Sequence, residues 1–285
     1  MLWYGGTVTL NSVIVYLAYN IDKVLLGRFW GAEALGVYGR AYQLINLPTD
    51  SLNSTIGSVA FPALSRVQDD PVRLKSYFLK GYSLFLTLVM PITLGCMLFS
   101  EDIIRVFLGP KWHDAAPIFR LMAPTILVFA LINPLAWLML ASGHAMRSLK
   151  IALMIAPVVA LSYIVGLKYG PHGVAAGFSI AMVALVVPVV AWAKQGTLIT
   201  GIDILKTVMM PFSSIIIGAA AAWAASGIVG RLELAFPRLV AECAVLFGVY
   251  LIVLLFVMKQ KAVYAGLLRE TGLWPLRGGR SQNAI

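Results

Sequence analysis

With 285 residues, 60% of them apolar and 12% charged, the chain is too apolar for a soluble domain, which carries roughly 25% charged residues. Its net charge of +10 suggests nucleic acid, but basic loops between apolar spans are what the positive-inside rule produces, so nucleic acid is excluded as a partner. A β-barrel would need alternating strands of about ten residues, and the apolar runs here do not alternate.

Those runs predict eight helices, at about 2–20, 34–64, 79–99, 117–141, 149–168, 172–193, 206–228 and 238–258. Nearly all reach the roughly 17–25 apolar residues that a span needs. The expected fold is an all-α polytopic membrane bundle of about eight transmembrane helices, with the lipid bilayer as its surroundings. The first run, Leu2–Ile21, has no basic flank before it and no small-x-small cleavage pattern after it. It is expected to be a span, not a removable leader.

The stretch from Asn20 to Arg66 departs from the rest. Asp22, Lys23, Arg28, Glu33, Arg40 and Asp50 sit in or beside otherwise apolar segments. Between Arg40 and Ser58 polar residues recur at helical spacing: Arg40, Gln43, Asn46, Asp50, then Asn53 or Ser54, and Gly57 or Ser58. A charge inside a span costs at least about 2.5–3.5 kcal/mol, so such groups face a cavity or a partner. Asp22 with Lys23 either marks the boundary of the first helix or faces an aqueous cavity and pairs with Arg28 or Arg40. Asp50 lies about 24 Å along the second span, near the bilayer centre. There a carboxyl is either held neutral as a proton carrier or fixed by Asn46, Asn53 or Ser54 in a structural role. Arg40 cannot lose its charge; it faces water, an acid or an anion, or it snorkels. Arg28, Arg40 and Arg120 together would make the outer half of a cavity cationic, suited to a pyrophosphate. The candidate substrate-binding residues are Asp22, Arg28, Arg40, Gln43, Asn46 and Asp50.

Further along, the 66–80 loop carries Asp69, Asp70 and basic residues, and the 100–116 loop reads as a short interfacial helix with Trp112 as anchor. Pro48, Pro91, Pro134, Pro157, Pro188 and Pro211 fall mid-span, either as ordinary membrane prolines or as helix breaks of the kind transporters use. Thirteen Lys and Arg lie in the loops on the side of the termini, including Arg73, Lys75, Arg147 and Lys194. Seven, including Lys23, Arg28, Lys168 and Arg238, lie on the other side. That bias puts both termini in the cytoplasm. Cys96 and Cys243 sit inside apolar runs as small packed residues. His113, His144 and His172 all fall in loops, in no metal-ligand spacing, and there is no Walker sequence. No loop is long enough for a catalytic domain. The reading is a non-enzyme without cofactor or metal.

Three groups of residues in order resemble the polysaccharide-exporter (Wzx-like) branch of the multidrug/oligosaccharidyl-lipid/polysaccharide flippase superfamily. The first is Asn20, Asp22, Gly27, Arg28, Gly31, Leu35-Gly36, Tyr38 and Ala41-Tyr42. The second is Phe61-Pro62-Ala63-Leu64-Ser65-Arg66 with Asp69-Asp70. The third is Leu108-Gly109-Pro110-Lys111-Trp112 with Ala115-Ala116-Pro117. The resemblance implies two six-helix lobes around a central cavity, followed by two more helices. This chain would be the second lobe, 1–194, the extra pair, 195–260, and a basic cytoplasmic tail, 261–285. It also implies movement of undecaprenyl-diphosphate-linked oligosaccharide across a bacterial inner membrane, commonly driven by an ion gradient. The partner would be an N-terminal lobe absent from this chain, or a second copy. A multidrug or cation antiporter of the same superfamily, a membrane enzyme of glycan assembly and a non-transporting remnant are the alternatives.

Overall fold

The computed structural model describes residues 2–229 and 234–257, so the expected tail at 261–285 lies outside them. The described residues fold into helices α1 (Leu2–Ala18), α2 (Ile21–Phe29), α3 (Gly31–Arg66), α4 (Pro71–Leu98), α5 (Ser100–Phe107), α6 (Ala115–Met122), α7 (Pro124–Ala141), α8 (Ala145–Gly166), α9 (Gly170–Ala193), α10 (Gly201–Val229) and α11 (Ala235–Ile252). No strand occurs among them. The all-α membrane bundle read from the sequence is therefore the observed fold. The eight expected spans are α1, α3, α4, α6 with α7, α8, α9, α10 and α11. Five stretches are long and apolar enough to cross a membrane, and one of these, Ala145–Ala193, contains both α8 and α9. The remaining two differ: α1 has 17 residues, while α3 has 36 and falls short through its polarity.

Several helices begin earlier than their apolar runs, because capping sets their starts. The Asp70 carboxylate accepts from the backbone N–H groups of Val72 and Arg73, both at 3.1 Å, and Pro71 occupies the first helical position. At α10, Thr200 Oγ1 accepts from Asp203 N–H at 3.1 Å while Thr200 N–H donates to Asp203 at 2.8 Å, a reciprocal capping box. All the mid-span prolines lie inside continuous helices. None of them breaks its helix, so the broken-helix reading is not realised at these positions. The expected helix at 117–141 divides elsewhere, at Ala123, where Pro124 opens α7 and cannot donate to the preceding turn. A short helix is present in the expected stretch as α5, and Trp112 follows it in a 3₁₀ turn, Pro110–Trp112.

Most of the bundle shares one core, in which α3 packs on α6 and α7, α4 on α7, and α1 on α8. The closest approach is the α8–α9 hairpin. Side chains on Gly166 and Gly173 would each run into the other's backbone, and a Cβ on Gly177 would sit 2.7 Å from the Ser162 carbonyl oxygen. Ser162 and Gly166 on one helix thus face Gly173 and Gly177 on the other, each pair four residues apart. Small residues at this spacing let membrane helices meet backbone to backbone. A second, smaller core joins α10 and α11 to the end of α4 and to α5, around Phe99, Ile215, Leu246 and Tyr250. The Tyr250 hydroxyl reinforces it by donating to the Thr87 carbonyl at 2.9 Å.

Loops assigned to the same side by counting spans do meet. At one end the Trp30 indole donates to the Leu167 carbonyl at 2.9 Å. There too Arg238 grips Asp102 through two nitrogens, Nε at 2.7 Å and Nη2. At the other end Lys75 pairs with Asp203 at 2.7 Å and Arg147 donates to the Gln195 carbonyl. The α10–α11 pair is therefore pinned to the rest of the bundle by one ion pair at each end.

Gly177→Val should cost about 1–3 kcal/mol by forcing the hairpin apart. Gly81→Ala, which enters open space, should not destabilise. Thermal unfolding of the two purified variants distinguishes them, and equal stability would refute the close-packing account. Arg238→Gln leaves Asp102 buried without its cation and should destabilise by up to about 3–5 kcal/mol, less as Arg238 is partly exposed. Adding Asp102→Asn should recover much of that loss in the same unfolding assay; a single variant as stable as the parent would show that the pair contributes little.

Candidate functional site

The α3 helix is about 54 Å long at 1.5 Å per residue, nearly twice the roughly 30 Å hydrocarbon layer. One face is core: Tyr38, Ala41 and Ile45 are buried at the spacing of an apolar stripe. The opposite face is open. Arg40, Gln43, Leu47, Asp50, Ser54 and Ser58 advance by three or four residues and are all exposed. Most of that row is polar, and nothing among the described residues covers it. Within a membrane, such a face requires water or a protein partner in front of it.

The stripe read from the sequence is two rows in the structure. Asn53 and Gly57 turn toward α7. A Cβ on Gly57 would lie 3.0 Å from the Trp137 ring, and Asn53 lines a small cavity with Thr49, Phe85, Ile126 and Asn133. The Asn53 side-chain oxygen is buried there with no partner. Asn46 is half-buried and lies beside the Tyr42 hydroxyl. Asp50 belongs to the outer row. It makes no hydrogen bond or ion pair with any described residue, and the Ser54 hydroxyl donates instead to the Ser51 carbonyl at 3.2 Å. The expectation that Asn46, Asn53 or Ser54 would fix Asp50 in a structural role is therefore corrected: these side chains bond elsewhere or point another way.

At the head of the row, Arg40 Nη1 donates to Gln43 Oε1 at 3.2 Å, and the guanidinium carbon stands 5.4 Å from the centroid of the Trp112 ring. A cation–π contact at an exposed site contributes about 0.5–1 kcal/mol. No carboxylate pairs with Arg40 among the described residues. Arg28 is exposed on α2, and Arg120 is exposed on α6, which packs against α3.

Asp22 is elsewhere. It is 0% exposed. The Tyr38 hydroxyl donates to it at 2.6 Å and the Lys23 backbone N–H at 2.8 Å. It neither faces a cavity nor pairs with Arg28 or Arg40, which corrects that reading. The cause is local: α2 is a separate nine-residue helix that turns Asp22 inward under Tyr38, leaving Arg28 outside. Lys23 turns the other way, to Asn20 Oδ1 at 2.6 Å, with its ammonium 3.9 Å above the Tyr42 ring. A buried carboxylate with two donors holds α2 against α3, so Asp22 belongs to the framework behind the stripe.

Sequence reasoning missed Trp112 as a neighbour of Arg40, Tyr38 as the partner of Asp22, and the Asp102–Arg238 pair. It also missed Glu242, one turn beyond Arg238, which is buried with one carboxyl oxygen unpartnered. Among the described residues no cluster of three or more His, Cys, Asp or Glu is arranged to hold a metal ion.

Comparison with known proteins places this geometry in context. The family described as polysaccharide biosynthesis protein matches residues 1–117. The lipopolysaccharide biosynthesis protein WzxC of Escherichia coli K12 is 30% identical over 186 residues, covering 64% of this chain and 37% of that protein. The teichuronic acid biosynthesis protein TuaB of Bacillus subtilis is 34% identical over 141 residues, 49% of this chain and 29% of that protein. This chain thus spans well under half the length of either relative. Among solved structures, the lipid II flippase MurJ in an inward closed conformation superposes with a TM-score of 0.69 at 17% identity. That superposition covers 92% of this chain and 52% of the flippase, so the fold likeness reaches well beyond the family match. Its sequence relatives are thus polysaccharide biosynthesis proteins, matched mainly over its N-terminal part, and its fold is like that of a lipid flippase.

Proposed function

We propose that this chain forms one lobe of a flippase for undecaprenyl-diphosphate-linked oligosaccharide in the bacterial inner membrane, with both termini cytoplasmic. The observation that carries this reading is the exposed polar row on α3. Its cation, Arg40, has no acidic partner among the described residues, while its neighbours offer amide and hydroxyl groups that suit sugars. A diphosphate would take the guanidinium fork, the sugars would run along Gln43, Ser54 and Ser58, and the lipid tail would stay in the bilayer. The row needs a facing surface, so the partner is a second lobe, from an N-terminal half or from another copy of this chain. The α10–α11 pair, pinned at both ends, would move with the lobe as it rocks. No catalytic chemistry is required of any residue in this account.

A cation antiporter is the second reading, and Asp50 is the observation that favours it. An exposed carboxylate without a partner, midway along α3, would suit a proton or an organic cation. The two roles are compatible if Asp50 carries the coupling proton and Arg40 the substrate.

Arg40→Ala should reduce surface glycan at least tenfold when the complete exporter is tested by complementation, with its membrane level unchanged. Arg40→Lys, which keeps the charge and loses the fork, should fall between. Normal export by the Ala variant would overturn the substrate role of this row.

A further inference from the structure

Trp112 is held where it stands. Its backbone N–H donates to the Gly109 carbonyl at 3.1 Å, and Gly109 has φ +90, a conformation that favours glycine, with Pro110 following. The half-buried indole packs on the main core, and the Arg40 guanidinium stands over its ring. The side chain is thus placed on a fixed turn at the edge of the core. What distinguishes it is a flat ring facing the head of the polar row, covered by a cation that is only weakly committed. Arg40 has one neutral hydrogen bond, to Gln43, and one long contact to the ring.

We infer that Arg40 and Trp112 form a two-part receptor for a sugar diphosphate, in which the diphosphate draws Arg40 away and the first sugar takes the ring face it uncovers. This rests on the lipid-diphosphate reading above and adds to it a specificity device. A phosphate accepts two parallel, charge-assisted hydrogen bonds from a guanidinium, which a ring face 5.4 Å away does not match. The anion therefore outcompetes the indole. Once bare, the ring offers an apolar platform to the C–H face of a hexose. Gln43, freed from Arg40, offers a donor and an acceptor to its hydroxyls. The two halves of the ligand are consequently coupled. A sugar without a diphosphate meets a covered ring, and a diphosphate without a sugar leaves an apolar ring exposed. By linkage each half strengthens the binding of the other. The site thereby favours a loaded carrier lipid over the bare diphosphate.

The test uses the complete exporter, with both lobes, purified in detergent, with the Trp112 signal taken as the fluorescence difference from Trp112→Phe. Farnesyl diphosphate and farnesyl-diphosphate-linked N-acetylglucosamine are the probes, and calorimetry records whether each binds. Farnesyl diphosphate should raise acrylamide quenching of Trp112 at least twofold, and the sugar-bearing compound should bring it back toward the ligand-free level. In Arg40→Gln, Trp112 should be quenched readily from the outset, with no further response to farnesyl diphosphate. If both compounds bind and Trp112 responds equally to each, or to neither, the two-part receptor is wrong while the diphosphate reading stands. If neither compound binds, the diphosphate reading falls and the receptor with it.

Discussion

Hydrocarbon offers no hydrogen bonds, and α3 presents a long polar face that must have them. That constraint organises the molecule. The helix cannot turn this face inward, because its other side carries Tyr38, Ala41 and Ile45 into the core and fixes its rotation. Tyr38 strengthens the lock through its hydrogen bond to Asp22, a fully buried carboxylate that would be costly to leave without donors. The row from Arg40 to Ser58 is thereby committed to face outward, and its partner must be water, protein or a ligand.

The remainder of the bundle holds that face rigid. The α8–α9 hairpin is joined by backbone contact through Gly166, Gly173 and Gly177, and the Trp30 indole ties its turn to the corner between α2 and α3. On the other flank, α10 and α11 are fixed by Arg238 to Asp102 at one end and Asp203 to Lys75 at the other. Ion pairs at both ends resist sliding as well as separation. The side chains with the fewest bonds lie at the edge of the stripe, where Arg40 has weak bonds and Asp50 has none.

Much of this was legible in the chain. Helix class and the main apolar spans follow from apolar runs, which need no knowledge of what packs on what. The periodic polar residues between Arg40 and Ser58 marked the exposed polar face of α3 for the same reason. Three further signals were present and not used: Asp70-Pro71 as a cap, Thr200 with Asp203 as a capping box, and Gly173 with Gly177 as a close-packing pair. Other features had no local signal. Asp102 and Arg238 are 136 residues apart, and nothing near either names the other. Asp22 was expected to meet an arginine because opposite charges attract. The short helix α2 instead delivered it to Tyr38, and that depends on a break at Ala18–Ile21 which the apolar run conceals. The split of the polar stripe between Asn53 and Asp50 turns on where α7 sits, which spacing along α3 does not encode.

The central claim is that the Asp50 side of α3 faces an aqueous space through the depth of the membrane. Single cysteines at Gln43, Leu47, Asp50, Ser54 and Ser58, in a chain with Cys96 and Cys243 replaced by serine, should all react with a small hydrophilic thiol reagent in native membranes. Cysteines at Ala41, Ile45 and Leu52, on the other side of the helix, should not. Labelling confined to the two ends of the row, with Leu47, Asp50 and Ser54 silent, would show lipid or dry protein there and contradict the account.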